Sequence, residues 1–459
     1  MEIYCVLSND INMTKRLDFN FWQPNKVSFS NSVELKTLEE WYSGEKFLAT
    51  SAFYPSITPY YLEKKDGKGI PFIRVADTRK LLLDYDSTVF LEKDILGPLK
   101  KSIARVFPGD ILITKGGEYI GEAALVPNYY EEYAICRDVL AIKQSDKAVF
   151  TSKYLTAFLR SKYGHNEILK TRSVQGQPHL TLDKIKSIKV PYYGEDFDNE
   201  IQMLYNSFFT LINASDEHLQ KAKNILNEFL DESLETVEDL DSFSINLTPN
   251  DLAKRCDFNY YENKWSKLVD SLKKNGHSFR KINFVKEKLS SGLQTDLYKY
   301  ITLSDIDDRS GTITNYRNLK RFELPDRANR MVLPGDVLVS SLKGSKNKIA
   351  IVYEQYENIV ASTGFYIVRD EGYSPEVLYL FFRSNYYDLF IEQMASGSIM
   401  SSITEKYFKK FEIPEIPEII QDEITTEIKL YLEKREFAFR DFEEASQRFD
   451  GMFVKREDN

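Results

Sequence analysis

Apolar residues follow two kinds of pattern along this chain. Short β-rich runs bounded by Gly, Pro and Asp give way to longer stretches with helical periodicity. Residues 70–75, 110–114, 123–126 and 139–142 read as strands, and 154–170 as a helix. The same succession returns later, with strands at 300–303, 336–340, 348–352 and 364–368 and a helix over about 375–394. Each series leads to a long helix. From Ile201 the seam runs Leu204, Phe208, Leu211, Ser215, His218, Ala222, Ile225, Phe229. From Ile424 it runs Ile428, Tyr431, Arg435, Ala438, Phe442, Ala445, Phe449, Met452. Alternating steps of three and four are those of a coiled coil, and the polar members Ser215, His218 and Arg435 fix register at some loss of stability.

The recurrence extends to words. Arg16-Leu17-Asp18-Phe19-Asn20-Phe21 returns as Arg255-Cys256-Asp257-Phe258-Asn259-Tyr260, an offset of 239. Pro108-Gly109-Asp110 returns as Pro334-Gly335-Asp336 at 226, Leu159-Arg160-Ser161 as Phe382-Arg383-Ser384 at 223, and Val190-Pro191 as Ile413-Pro414 at 223. A drifting offset means loop insertions within a duplicated domain, and the period is far longer than the roughly 20–50 residues of solenoid repeats. The expected fold class is α+β. Two tandem repeats are expected, each a mixed α/β domain followed by a long helix, with the two helices pairing as an antiparallel coiled coil. The segments divide as 1–195, 196–240, 241–418 and 419–459.

Composition changes this picture in one respect. The 459 residues carry a net charge of −9, which argues against a free-standing nucleic-acid binder. The charge is uneven, however: residues 264–288 hold eight Lys/Arg against two acids, and 309–348 hold nine against three. Acids gather in 228–241 and 412–444. Such a chain can meet DNA locally while its acidic parts face protein partners. The 29 Tyr and 30 Phe are expected chiefly in cores and strands. Three scattered cysteines (Cys5, Cys136, Cys256) and four scattered histidines form neither a disulfide framework nor a zinc spacing, so a cytoplasmic location is expected. No apolar run approaches the ~20 residues of a membrane span, and no signal peptide is apparent.

Several chemistries lack their motifs. There is no GxxxxGK[ST] phosphate loop, and Gly116-Gly117-Glu118-Tyr119-Ile120-Gly121 reads as a turn. An amino-methyltransferase would need [N/D]PP[Y/F]; the nearest string is Val190-Pro191-Tyr192-Tyr193. Asp77, Asp110 and Glu118 are the scattered carboxylates a solitary nuclease would have to use.

The ordered set of words, present twice, resembles the specificity subunits of Type I restriction–modification systems, or a divergent relative in a methylation-linked phage-defence system. The resemblance rests on the Arg16 and Arg255 openings and on the Ser43-Gly44 and Ser290-Ser291-Gly292 turns. It rests further on the strands ending at Asp77 and Asp305, the PGD words with their glycine loops, the Arg-Ser helices, and the strands into Pro191 and Pro414. It implies a non-catalytic DNA reader. The globular parts would be target recognition domains, each reading one half of a split, asymmetric site. The helices would act as a ruler, and the 34 residues of 201–234 would span about 50 Å, at most ~15 base pairs. The implied partners are double-stranded DNA, methyltransferase subunits and a restriction/translocase subunit, with no membrane. No cofactor is expected in this chain; S-adenosylmethionine and ATP/Mg would sit on the partners.

Readout needs polar fingers, and the loops where the two copies differ are the candidates. After the first PGD strand these are Lys115, Gly116, Gly117 and Tyr119; before Pro191 they are Arg172, Ser173, Gln175 and Gln177. The second copy offers Lys343, Gly344, Ser345, Lys346, Asn347 and Lys348, with Ser398 and Ser401. Lysines suit phosphate or guanine, and Asn347 suits adenine. A solvated hairpin or connecting loop is the plain alternative for each. Two other functional readings stay open at this point: a specificity-like scaffold or decoy, and a solitary nuclease.

Overall fold

The computed structural model describes residues 27–28, 33–52, 56–62, 69–78, 88–94, 97, 101–117, 119–171, 179–230, 248, 255, 257–285, 297–353, 358–397, 401–452 and 454–455. The chain divides into two compact units, one of residues 1–209 with 438–459 and one of residues 210–437. The Arg16 opening, the Ser290-Ser291-Gly292 turn, and Cys5 and Cys256 lie outside the described residues.

In the first unit a five-stranded sheet has the order Tyr61–Leu62, Val89–Glu92, Gly69–Ile73, Tyr133–Ile135, Arg105–Val106. Its Gly69–Ile73 and Tyr133–Ile135 strands are parallel, and the other pairings antiparallel. An antiparallel sheet has the order Leu48–Thr50, Val139–Ile142, Ile111–Thr114, Ala123–Leu125. Ile111–Thr114 and Val139–Ile142 are buried at every position, as strands covered on both faces must be, so they read as continuous apolar runs rather than alternating ones. Phe72, Ile73, Leu91, Val106 and Tyr133 of one sheet share a core with Leu112, Val139 and Ala141 of the other.

The helix expected over 154–170 is in fact two, Ser152–Arg160 and Lys162–Lys170. Ser161 takes an extended backbone between them, donates its hydroxyl to Phe158 O (2.6 Å) and accepts Gly164 N (3.0 Å) as the N-cap of the second helix. A Cβ on Gly164 would lie 1.9 Å from Phe158 O, so the helices can cross this closely only at glycine.

The second unit has an antiparallel sheet of order Phe284–Val285, Phe365–Val368, Val337–Ser340, Ile349–Ile351. Its other sheet has the order Arg317–Leu319, Tyr298–Ile301, Ile359–Ser362, Ala328–Val332, with the middle two strands parallel. Ile301, Ile359 and Ala361 share a core with Leu338, Ala350 and Ile367. A larger core packs Val337, Val339 and Ile349 against the helices Lys264–Lys274, Pro375–Phe382 and Asn385–Met394. The single helix expected over 375–394 is again broken at the Arg-Ser word, here Arg383-Ser384.

The long helices are Glu195–Phe229 and Glu418–Met452, 35 residues each. On the first, one expected column of the seam (Phe208, Ser215, Ala222) is buried. Its companion column is not the expected Leu204, Leu211, His218, Ile225, all half-buried, but lies one position on, with Tyr205, Ile212 and Leu226 buried and Leu219 half-buried. The buried column is wholly apolar, whereas the expected one contained a histidine. On the second helix every expected seam residue from Ile424 to Phe449 is buried, and Met452 is exposed.

Within the first unit Phe208 meets Phe439 and Phe442, Ser207 bonds Asp441 (2.6 Å), and Glu200 pairs with Arg448 (3.2 Å). Within the second, Asp216 pairs with Arg435 (2.9 Å) and His218 bonds Glu427 (2.6 Å). In each unit the two helical segments run in opposite directions. Among the described residues no helix is long and apolar enough to cross a membrane.

Tyrosines serve the cores as expected, and their hydroxyls tie strand ends. Tyr154 donates to Pro191 O (2.7 Å), Tyr373 to Pro414 O (2.9 Å) and Tyr386 to Glu412 O (2.8 Å). Burial drives the Tyr379 phenol far above its ordinary range.

Candidate nucleic-acid interface

The PGD words build a frame. In each, glycine adopts positive φ (Gly109 89°, Gly335 88°) and the following aspartate turns back. Asp110 accepts Phe107 N (2.8 Å), Gln144 N (2.9 Å) and Lys143 Nζ (2.7 Å). Asp336 accepts Leu333 N (2.8 Å) and both Nε (2.7 Å) and Nη2 (2.9 Å) of Arg369. Lys143 and Arg369 stand 226 residues apart, as do the aspartates, so a buried carboxylate clamps the same strand end in both units.

The Arg-Ser words are also internal. Arg160 donates to Ala123 O (3.1 Å) and lies over the Phe442 ring (4.5 Å); Arg383 donates to Asn347 O (3.0 Å), Asp308 O (3.1 Å) and Arg309 O. Burial pulls the Arg160 guanidinium below its usual range. Arg255 of the second opening word pairs with Asp257 and donates to Met394 O (2.8 Å) and Ala395 O (2.7 Å), which pins that word to the end of a core helix. The Arg255 guanidinium beside it holds the Asp257 carboxyl below the usual range.

In the second unit the described parts of the two expected reading loops come together, and in the first only the post-PGD turn is described. In the first, Gly116 bridges to His179, and Leu180 N donates to Lys115 O (2.9 Å), so the post-PGD turn pairs with residues 179–180. Arg172, Ser173, Gln175 and Gln177 lie outside the described residues, as does Ser398. In the second, Leu342 bridges to Ser402, Lys343 N donates to Ser401 O (2.9 Å), and Ser401 Oγ donates to Gly397 O (2.6 Å).

The charges on these loops are less available than the sequence suggests. Lys115 Nζ donates to Arg137 O (3.3 Å), Lys346 pairs with Asp388 (2.8 Å), and Lys348 donates to Ile306 O. In the unliganded chain Lys346 and Lys348 thus also tie the turn to its own unit. Gly117, Gly344 and Asn347 are exposed, while Tyr119 and Ser345 are half-buried.

Sequence reasoning passed over a second surface, although the charge count of 309–348 pointed at it. Arg317–Leu319 is the edge of its sheet, and the one-turn 3₁₀ helix Arg321–Glu323 follows. Arg317 lies over the Tyr300 ring (4.8 Å), and Lys299 over that of Tyr316 (5.2 Å). Lys320, Arg321 and Arg327 are exposed, and among the described residues none of them forms an ion pair. Phe322 is 82% exposed. The turn beneath is fixed: Glu323 accepts Lys320 N (2.7 Å) and Leu324 packs on the Tyr298–Tyr300 cluster. Its root is fixed too, since Asp307 accepts Ser310 N (2.8 Å) and Oγ (2.7 Å) while Tyr379 donates to Ser310 O (2.7 Å). Among the described residues no group of three His, Cys, Asp or Glu is placed to hold a metal ion.

Among the described residues, a buried clamp thus carries exposed polar loops in each unit. Residues 56–192 match the family described as the Type I restriction modification DNA specificity domain.

Solved structures align with most of the chain at low identity. The S subunit of a Type I restriction–modification system from M. genitalium is 12% identical over 93% of this chain and 97% of that one, with a TM-score of 0.37. The HsdS subunit from Thermoanaerobacter tengcongensis is 12% identical over 94% and 98%, with a TM-score of 0.31. A chain from a structure concerned with complex assembly and conformational transition of the type I R-M system is 12% identical over 94% and 98%, with a TM-score of 0.28. No curated protein matches the chain.

Proposed function

We propose that the chain is the specificity subunit of a Type I restriction–modification enzyme, reading a bipartite asymmetric DNA site and directing methyltransferase and restriction/translocase subunits to it. The observation that carries this reading is the recurrence of one clamp in both units, Asp110 with Lys143 and Asp336 with Arg369, one copy of it inside the matched specificity domain. Two tandem domains with one frame and different loops suit two different half-sites. The long helices pair as an antiparallel coiled coil that sets half-site spacing, a reading supported by opposed contacts such as Phe208–Phe442 and Asp216–Arg435. Double-stranded DNA meets the polar loops, Lys115 to Tyr119 with Arg172 to Gln177 in the first domain and Lys343 to Asn347 with Ser398 and Ser401 in the second. S-adenosylmethionine and ATP/Mg are used by the partner subunits.

Methylome sequencing of cells with and without the chain tests this reading. The expected result is loss of one bipartite modified motif on deletion. An unchanged methylome, or DNA cleavage or methyl transfer by the purified chain alone, overturns it.

A further inference from the structure

The second unit carries an apolar ring where solvent should discourage one. Phe322 is the most exposed large hydrophobic side chain among the described residues. A lone exposed apolar residue is ordinary on a protein surface. This one differs in its surroundings. It tips a turn whose backbone is tied by Glu323 N to Lys320 O (2.9 Å), Leu324 N to Arg321 O (3.3 Å) and the Glu323 carboxylate on Lys320 N (2.7 Å). The ring is thus held out by a fixed support rather than by a floppy loop. In sequence it follows Lys320 and Arg321 directly and precedes Arg327; all three are exposed and, among the described residues, without ion pairs. Arg317 on the adjoining edge strand adds a fourth cation. Glu323 is spent on the backbone, which leaves Asp326 as the acid nearest in sequence. Unpaired cations of this kind on a chain of net charge −9 fit a polyanion.

We propose that the turn 320–322 is a DNA probe: Phe322 enters between or against base pairs while Lys320, Arg321 and Arg327 hold the flanking phosphates. The proposal rests on the reading of the chain as a DNA specificity subunit. Apolar wedges flanked by cations partly unstack a base step and are repaid by added contact, and the phosphates give the salt-dependent share of affinity. The two roles separate experimentally, because a ring contributes affinity without counterion release and each phosphate contact contributes about 0.9 to the salt slope.

The test uses the full chain, alone and with its copurifying partner subunits, against a pool of random 40-base-pair duplexes across a salt series. Phe322→Ala is expected to weaken binding about tenfold with an unchanged slope. Lys320→Ala with Arg321→Ala is expected to lower the slope by roughly two. All three substituted positions are exposed, and unchanged melting curves confirm folding. If the wild-type chain fails to bind any duplex at low salt, the specificity-subunit reading itself falls, and the probe with it. If the wild type binds and the variants match it in affinity and slope, the probe is overturned and the reading stands. If Phe322→Ala leaves DNA binding intact but loses the copurifying subunits, the ring is a protein contact and the proposal is likewise overturned.

Discussion

Removing the Asp336 carboxylate tests whether the PGD word is a frame. Asp336 is fully buried and accepts three hydrogen bonds, one from Leu333 N and two from Arg369. Losing one member of a buried ion pair costs about 3–5 kcal/mol. The Arg369 side chain is 32% exposed, so water recovers part of that loss. The expected cost of Asp336→Ala is therefore about 3 kcal/mol, near the lower end of that range. At about 1.4 kcal/mol per factor of ten, local opening of the Val337–Ser340 and Phe365–Val368 strands should become roughly a hundredfold more frequent. Hydrogen exchange read by mass spectrometry on the full chain measures this strand by strand. Ile111–Thr114 and Val139–Ile142 of the other unit should keep their wild-type protection. Asp110→Ala should do the converse more mildly, because Lys143 keeps its bond to Arg105 O (2.5 Å). An acceleration below about fivefold in the Asp336 variant, equivalent to about 1 kcal/mol, would refute the clamp.

Three further expectations follow from single groups. Ser215 is fully buried and its hydroxyl has no partner among the described residues, so Ser215→Ala should raise stability by about 1 kcal/mol in urea titration. Gly311 has φ +64°, and a Cβ there would lie 2.3 Å from Ile349 O and 2.5 Å from Tyr379 Cε2. Gly311→Ala should cost about 3 kcal/mol, whereas Gly335→Ala, with nothing within 4 Å, should cost only the backbone share of about 1 kcal/mol. Burial, with Arg160 nearby, holds the His165 imidazole below its ordinary range, against the Gly121 backbone, which pulls the other way. The neutral ring is the folded form, so its contribution is complete above the usual pKa of about 6.5 and is lost as pH falls below it. Melting between pH 7.5 and 5.5 should fall less in His165→Asn than in the wild type, and equal slopes would exclude this group.

Much of the frame was legible because it is local or repeated. The apolar strands, the long helices and the PGD words all sit in windows of a few residues. The breaks at Ser161 and Ser384 were signalled by the Arg-Ser words, since a serine that can cap a new helix competes with continuing the old one. The displaced seam column was signalled as well: the column of Tyr205, Ile212, Leu219 and Leu226 is free of polar residues, and the expected one is not. What could not be read was pairing across long sequence separations. Nothing in Lys343-Gly344-Ser345-Lys346-Asn347-Lys348 shows that Lys346 will meet Asp388, or that Lys348 will meet a carbonyl 42 residues away. A lysine run looks like a ligand site until its partners are known. Lys320, Arg321 and Arg327 differ only in having no such partners among the described residues, which is a property of the fold and not of composition.

The strand registers let the two units be compared at the probe. Phe72 pairs with Val89, and Tyr300 pairs with Arg317; both members of the second pair lie 228 residues beyond those of the first. Carried along the chain, that correspondence sets Glu92 opposite Lys320, Lys93 opposite Arg321 and Asp94 opposite Phe322. Where one unit presents two cations and a ring, the other presents two acids and one lysine. The buried clamp recurs as well, at an offset of 226, with only lysine exchanged for arginine. A carboxylate inside the core must have a cation at a fixed place or the strand end comes loose. An exposed turn has no such obligation, and its side chains are free to change sign. The proposed probe is therefore expected of the second unit and not of the matching turn in the first. The two halves of a recognition site would then be held by different physics, one by a ring and a phosphate grip, the other by polar loops with little net charge.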